Sequence, residues 1–174
     1  MTPTESAAAK PPLITPTFVL AWVANFCQFL VFYLFVTTMA LYAVESFGAS
    51  DTVGGFASSA FVLGATCMRV FSGWIVDRVG HKKAALASLA FVTLVAVAYF
   101  FAHNVAVLII VRMVHGAGYA LTSTALMAVA QSVIPHERRA EGTGYFALGT
   151  TLATAFGPAI GLLLANNIGY TTLF

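Results

Sequence analysis

The side chains most able to do chemistry in this sequence are the ionisable and amide groups that interrupt long apolar runs. In the run Val105–Val133, Arg112 is followed by His115 and then by Tyr119, at spacings that place all three on one face of a helix. Such a polar face is typical of the wall of an aqueous cavity, where Arg112 could bind an anion or take part in proton coupling. The alternative is an arginine that is paired inside the protein or that reaches the membrane surface.

A second pair of polar side chains lies in the first apolar run. Asn25 and Gln28 are three positions apart and are therefore neighbours on one helix face. Their amides could hydrogen-bond a bound small molecule or only a neighbouring helix, and the sequence leaves both open. Phe32, Tyr33 and Tyr119 supply aromatic surface that would suit an apolar ligand.

A third group is a cluster of charges between two apolar runs, in the stretch GWIVDRVGHKKAAL. Its formal charges belong to Asp77, Arg78, Lys82 and Lys83. Gly73 lies four residues before Asp77, so a neighbouring helix could approach at the glycine and place its end beside the carboxylate. Gly80 permits the turn that follows. We therefore expect a latch that holds one arrangement of helices, and the simpler alternative is a loop anchored at the membrane surface by its charges.

The composition argues against a soluble protein and against catalysis. Only 8% of the 174 residues are charged, 60% are hydrophobic and the mean hydropathy is +0.90, too apolar to cover a soluble globule. The net charge of +2 gives no sign of a nucleic-acid partner. The histidines are scattered over different segments, so we expect no enzyme activity, no cofactor and no metal site. Cys27 and Cys67 lie inside apolar runs, and we expect both to be small buried side chains.

Five apolar runs are long enough to cross the roughly 30 Å core of a bilayer, which takes about 20 helical residues. They are approximately Phe18–Val44, Val53–Val76, Ala84–Ala102, Val105–Val133 and Thr143–Leu164. A sixth span is expected to begin at Tyr170. Several glycines inside the runs predict close approach of the helices. The predicted fold is an all-α membrane protein, a helix bundle with five transmembrane helices and the start of a sixth.

The basic residues predict which helix ends face the cytoplasm. All but two of the lysines and arginines fall in the leader and in the second and fourth loops: Lys10, Arg78, Lys82, Lys83, Arg138 and Arg139. Cytoplasmic loops carry the excess of Lys and Arg, so these segments are expected inside. We therefore expect a multi-pass protein of the cell membrane whose residues 1–17 form a cytoplasmic leader.

These features together resemble the major facilitator superfamily of transporters. The pattern G-x-x-x-D-R-x-G-x-K-K from Gly73 resembles the loop-two signature of that superfamily, although His81 stands where the signature usually carries arginine. The stretch RMVHGAGYA from Arg112 is similar to the fourth-helix motif of its proton-coupled drug exporters, and PHERRAEGTGYF is similar to its loop four. The stretch GTTLATAFGPAIG resembles its fifth-helix antiporter motif through Gly149, Gly157, Pro158 and Gly161.

The resemblance implies that residues 18–174 are an incomplete N-terminal six-helix half of a transporter whose C-terminal half is missing. The implied function is a secondary transporter that exports a small organic molecule by alternating access, in a proton-coupled exchange. The stretches TPTFVLAWVANFCQFLVFYLFVTTMALYAV and RVFSGWIVDRVG resemble the arabinose-efflux-permease-like branch, which includes opine-metallophore exporters. The alternatives are an importer of a small metabolite and a membrane scaffold or receptor that transports nothing.

The resemblance also implies the partners of the chain, which are the lipid bilayer, a small-molecule substrate, protons and the opposite half of the transporter. The helix that carries Gly157 and Gly161 is expected to pack against that opposite half and to kink at Pro158. Arg69 lies two helical turns from Asp77, and we expect it to support the structure rather than to contact substrate.

The predicted orientation can be tested by cysteine labelling. In a variant without Cys27 and Cys67, the thiol of Lys82→Cys should react with a membrane-impermeant maleimide only after the cells are permeabilised. The thiol of Ser46→Cys, in the first loop, should react in intact cells. Labelling of the Lys82→Cys thiol in intact cells would contradict the topology.

Overall fold

The computed structural model describes residues 11–170 and consists there of five long α-helices. They are α1 Pro16–Phe47, α2 Asp51–Val79, α3 His81–Ala98, α4 Val105–Val133 and α5 Arg139–Ile168. Short 3₁₀ turns, Tyr99–Phe101 and His136–Arg138, follow α3 and precede α5. The predicted all-α bundle with five spanning helices is confirmed. Most of the expected cytoplasmic leader, and all of the expected sixth span after Tyr170, lie outside the described residues.

Local sequence explains where the helices begin. Thr15 precedes the Pro16 of α1, and its hydroxyl accepts a hydrogen bond from the backbone of Phe18 at 3.2 Å. Ser50 and Asn104 cap α2 and α4 in the same way. The side-chain oxygen of each accepts a hydrogen bond from the backbone N–H three residues later. Each cap satisfies a backbone N–H that would otherwise have no partner at the end of the helix.

Two glycines make the tight connections on either side of α2. Gly48 follows α1 with φ of 62°, a left-handed conformation, and its N–H donates back to the carbonyl of Ala43. Gly80 has φ of 92° and alone separates α2 from α3. The expectation that Gly80 permits the turn is confirmed, and the charged loop is reduced to a single residue between two helices.

The outer surface of the bundle is apolar, as a lipid-facing protein requires. All five helices are long and apolar enough to cross a membrane. Large apolar side chains such as Leu20, Val70 and Leu94 are more than 70% exposed on the outside of the bundle. The expectation that Cys27 and Cys67 are buried is wrong: both thiols are exposed on the bundle surface, where a small apolar side chain can face lipid.

The helices pack chiefly as two pairs, α2 against α4 most extensively and then α1 against α5. The helix α3 contacts mainly α4 and lies on the outside. If α1 corresponds to α4 and α2 to α5, these two pairs are related by exchange of two three-helix units. This is the arrangement expected of inverted repeats, in which a site forms between the repeats.

Glycines allow the backbones of these pairs to touch. A Cβ added at Gly64 of α2 would overlap the carbonyl oxygen of Met113, and one at Gly116 of α4 would overlap that of Phe61. Small residues at such crossings let helices associate in lipid by van der Waals contact. The α2–α4 contact is therefore built on two reciprocal glycines.

The glycines of α5 serve α1 in the same way. A Cβ at Gly157 would lie 2.7 Å from Tyr33, and one at Gly161 would lie 2.8 Å from the carbonyl oxygen of Leu34. Within residues 11–170 both glycines face α1 of the same bundle. The expected contact of this helix with the opposite half of the transporter stays a prediction. Pro158 lies inside α5, which continues through it without a break.

The reciprocal glycines give a prediction about stability. Gly64→Ala should lower the free energy of unfolding by about 1–3 kcal/mol, because the methyl group has to push the two backbones apart. Gly55→Ala, in the same helix, adds a methyl group that meets no atom within 4 Å and should leave the melting temperature unchanged or higher. Circular dichroism of the two purified variants during heating measures the difference. Equal melting temperatures would mean that α2 and α4 are not in backbone contact.

Candidate functional site

A cavity with a polar lining lies between α1, α2, α4 and α5. Its volume is about 480 Å³. The polar side chains that line it are Asn25, Arg69, Ser123, Thr124, Thr150 and Thr151. Phe29, Met127 and Phe146 supply apolar surface beside them. A concave site with a few convergent polar groups on an apolar wall is the usual form of a small-molecule site.

Asn25 joins the first and fifth helices at the wall of this cavity. Its amide nitrogen donates to the hydroxyl of Thr150 at 3.3 Å, and the side chain is buried. Of the two alternatives that the sequence left open for this residue, the bond to a neighbouring helix is present, and a bond to a small molecule stays a prediction that its place at the cavity allows. Thr150 was not singled out by sequence, because threonine is common in transmembrane helices and carries no motif here.

Gln28 faces another part of the bundle. Its amide nitrogen donates to the backbone carbonyl of Tyr119 at 3.0 Å, so it ties α1 to α4. Its amide oxygen is buried and finds no hydrogen-bond partner within residues 11–170. Gln28, His115 and Tyr119 line a second cavity of about 270 Å³ between α1, α3 and α4. The predicted pair Asn25 and Gln28 is thus divided between two cavities.

Arg112 is fully buried between α2 and α4. Its Nη2 donates to the carbonyl of Ser58 at 2.9 Å and its Nε to that of Ala57 at 3.4 Å. The guanidinium carbon lies 4.8 Å from the centre of the Phe61 ring, a cation–π contact that is worth about 2 kcal/mol when desolvated. The predicted place of Arg112 on a cavity wall is corrected: helix carbonyls and an aromatic ring enclose the charge.

Arg112 has no carboxylate partner among residues 11–170, where the ion pairs are His81 with Asp77 and Arg138 with Glu141. Its Nη1 is buried without a hydrogen bond that meets the usual geometry. A buried cation without a counter-ion is costly in lipid, and such residues generally mark ion or substrate pathways. Arg112 therefore remains a functional candidate although it lines no wall.

His115 lies one turn after Arg112 and belongs to the same buried polar group. Its Nδ1 is 3.0 Å from the hydroxyl oxygen of Tyr99, at the end of α3. Phe35 and Phe61 pack edge-on against the imidazole. The group links three helices through a titratable side chain, which is the type of arrangement a proton relay requires.

Aromatic rings fill the middle of the bundle. Phe32, Phe61 and Tyr119 contact one another in tilted or edge-on arrangements, with 5.0–5.3 Å between ring centres, and Phe29 lies edge-on to Tyr119 at 5.3 Å. Tyr33 lies against Phe32 at 4.9 Å. Phe32 and Tyr119 also border the second cavity, so part of the expected aromatic surface is available to a ligand and part is packing.

The charged loop between α2 and α3 is exposed at the end of the bundle that is predicted to be cytoplasmic. The side chain of Asp77 is 81% exposed and its carboxylate lies 3.9 Å from His81 Nε2. Within residues 11–170 no neighbouring helix reaches Gly73, and a Cβ there would meet no atom within 4 Å. Arg78 folds over the ring of Trp74 at 5.3 Å, while Lys82 and Lys83 are exposed. Gly73 thus has open space beside it, and Asp77, although near His81, is accessible to a partner from elsewhere.

Comparison with known proteins identifies the family. The family model of the Major Facilitator Superfamily matches residues 21–174, most of the chain. The chain belongs to the major facilitator superfamily. This confirms the resemblance of its loop and helix motifs, and the bundle is a partial fold of that superfamily.

Two curated relatives of this major facilitator chain are named as exporters. The multi-drug resistance efflux pump PmrA of Streptococcus pneumoniae is 30% identical over 161 residues, which cover 89% of this chain and 39% of the relative. The staphylopine export protein of Staphylococcus aureus is 31% identical over 123 residues, which cover 70% of this chain and 31% of the relative. The chain therefore spans less than two fifths of the length of these relatives.

Within this major facilitator bundle, the fifth-helix motif begins beside α1. Gly149 lies under the indole of Trp22, where a Cβ would approach the ring to 3.2 Å. The indole N–H donates to the carbonyl of Tyr145 at 2.9 Å and so fastens α1 to α5. Trp22 was missed in the sequence, since a tryptophan near a membrane boundary is normally interpreted as an interfacial anchor.

Because Arg112 is buried without a carboxylate partner among residues 11–170, we predict that its removal does not destabilise the bundle. Arg112→Met removes a cation that no carboxylate neutralises and retains an apolar side chain of similar length. We expect the purified variant to melt within about 2 °C of the wild type or above it. A fall of several degrees on heating, followed by circular dichroism, would instead assign Arg112 to structural support.

Proposed function

We propose that this chain is the N-terminal part of a secondary transporter that exports a small organic molecule across the cell membrane by alternating access, in exchange for protons. The observation that carries the proposal is the polar cavity between α1, α2, α4 and α5, because a concave polar surface within a lipid-facing bundle is typical of a ligand or ion pathway. The two relatives named as exporters support the outward direction.

Alternating access needs a second half of the transporter. The exposed residues around the α2–α3 turn offer a surface on which that half could bind. Asp77 is accessible and Gly73 has open space beside it, so an approaching helix end could settle on the glycine and meet the carboxylate. We propose that Gly73, Asp77, Arg78, Gly80, Lys82 and Lys83 form a latch to the C-terminal half. A contact of this kind stabilises one of the two arrangements between which a transporter alternates.

Proton coupling requires a group that changes its charge during the cycle. The described helices carry no Asp or Glu at mid-membrane depth, so the candidates within residues 11–170 are His115 and Asp77. His115 is supported by its contact with Tyr99 and by the charge of Arg112 one turn away. Protonation of the imidazole next to a buried guanidinium would be resisted by repulsion, and a movement that separates the two would relieve it.

The membrane and the topology follow the same proposal. The N-terminus and the turn at Gly80, with Lys82 at the start of α3, are proposed to lie in the cytoplasm, and the first loop outside the cell. The partners are the bilayer, a small-molecule substrate, protons and the C-terminal half of the transporter.

The proposal is tested by flux into proteoliposomes that contain the complete protein. With fluorescein and rhodamine 123 as probes, we expect uptake of at least one probe that rises when a pH gradient is imposed and falls when nigericin with potassium collapses it. Asp77→Asn should reduce this flux by about tenfold or more, since losing the charge removes a contact of at least 1.4 kcal/mol.

Glu137→Gln is the matched control for Asp77→Asn, because it also neutralises an exposed acid near a cytoplasmic loop. It should transport at the wild-type rate. An equal loss of flux in Asp77→Asn and Glu137→Gln would contradict the proposed latch. Flux that is independent of the pH gradient would contradict proton exchange and would indicate facilitated transport instead.

A further inference from the structure

The second intramembrane arginine, Arg69, occupies a different environment from Arg112. It lies on α2, ten residues before the helix ends at Val79, which is about 15 Å along the axis at 1.5 Å per residue. Its side chain is exposed in the polar cavity and also borders an adjoining cavity of about 200 Å³. Arg112 is enclosed by α2 carbonyls, whereas Arg69 faces open space.

Arg69 is under-satisfied by its protein neighbours. Its Nη2 donates to the hydroxyl of Ser123 at 3.4 Å, longer than the roughly 2.7–3.2 Å of an ordinary N–H···O bond, and a guanidinium has five N–H donors. Neither ion pair found within residues 11–170 involves Arg69. The acidic side chains of the described residues lie in loops or at helix ends, far from the middle of α2.

The surroundings of Arg69 suit an organic anion. Thr150 and Asn25 place a hydroxyl and an amide on the opposite wall of the cavity, and both can bond the polar part of a ligand. Phe29 and Phe146 border the same space and offer apolar surface. The positive charge of the cavity comes from Arg69 alone among its lining residues, and no acidic residue lines it.

We propose that Arg69 is the specificity-determining residue of the cavity and pairs with a carboxylate or phosphate of the transported molecule, so that the substrate is an amphipathic organic anion. A guanidinium binds such an oxyanion through two parallel hydrogen bonds, which are stronger than neutral ones and depend on direction. The inference rests on the proposed transport function, whose cavity it uses. It reassigns the anion contact that the sequence suggested for Arg112, because Arg112 is fully buried and does not line this cavity.

Two probes with the same xanthene ring system and opposite charge test this assignment. Fluorescein is an anion at pH 7.5, and rhodamine 123 is a cation. Binding of each probe to the purified complete protein is measured by fluorescence anisotropy, and flux of each is measured in proteoliposomes. The variants are Arg69→Gln, Arg69→Lys and, as a matched control, Arg139→Gln, which neutralises an exposed arginine at the start of α5.

We expect the wild type and Arg139→Gln to bind fluorescein more tightly than rhodamine 123. Arg69→Gln should weaken fluorescein binding by about tenfold or more and leave rhodamine 123 binding unchanged or stronger. Arg69→Lys should recover part of the fluorescein affinity, because the charge is kept and the paired geometry is lost. If Arg69 had only a structural role, Arg69→Gln would instead weaken the binding of both probes to a similar extent.

The outcomes separate this inference from the transport proposal. Transport of rhodamine 123 without binding of fluorescein would overturn the anion assignment and leave the transporter. Binding of fluorescein that depends on Arg69, without flux of either probe, would support the assignment and contradict transport. Equal loss of both probes in Arg69→Gln, no loss of either, or failure of the wild type to bind fluorescein would each overturn the inference.

Discussion

The structure depends on the contact between the backbones of α2 and α4. Gly64 and Gly116 are reciprocal at this crossing, each directed at a carbonyl of the other helix. In lipid there is no hydrophobic force between helices, so this close packing and the hydrogen bonds beside it are what bind the two together. Once α2 and α4 are fixed, α1 and α5 can enclose a polar space against them.

The same crossing creates the different environments of the two arginines. Near the contact the helices are so close that Arg112 is sealed between Phe61 and α2 carbonyls, where water cannot reach it. Further along α2 the helices leave the cavity open, and Arg69 keeps most of its donors free for a ligand. Arg112 is thus enclosed inside the protein, one helical turn from His115, whereas Arg69 lies at the cavity.

The number and placement of the membrane-spanning helices could be predicted from the sequence, whereas the side-chain contacts between them could not. The five spans follow from apolar length, since a bilayer sets one thickness for every helix. The burial of Arg112 did not follow, because helical spacing shows which residues share a face and not which neighbour covers that face. For the same reason the sequence could not show that Gly157 and Gly161 face α1. The expectation that Cys27 and Cys67 are buried was wrong because small apolar residues can face lipid as well as a core. Thr150 carried no signal, since it acts only through the folded position of Asn25.

The central claim is that the space between α1, α2, α4 and α5 holds water in a protein whose outside faces lipid. The most direct measurement is the rate at which a charged methanethiosulfonate reagent modifies single cysteines in a protein that lacks Cys27 and Cys67. A thiol placed by Thr151→Cys, at the cavity, should react readily, because only a hydrated thiol ionises. A thiol placed by Leu94→Cys, on the outer face of α3, should stay unreactive. Equal inertness of both thiols would show that the cavity is closed to water and would contradict the account.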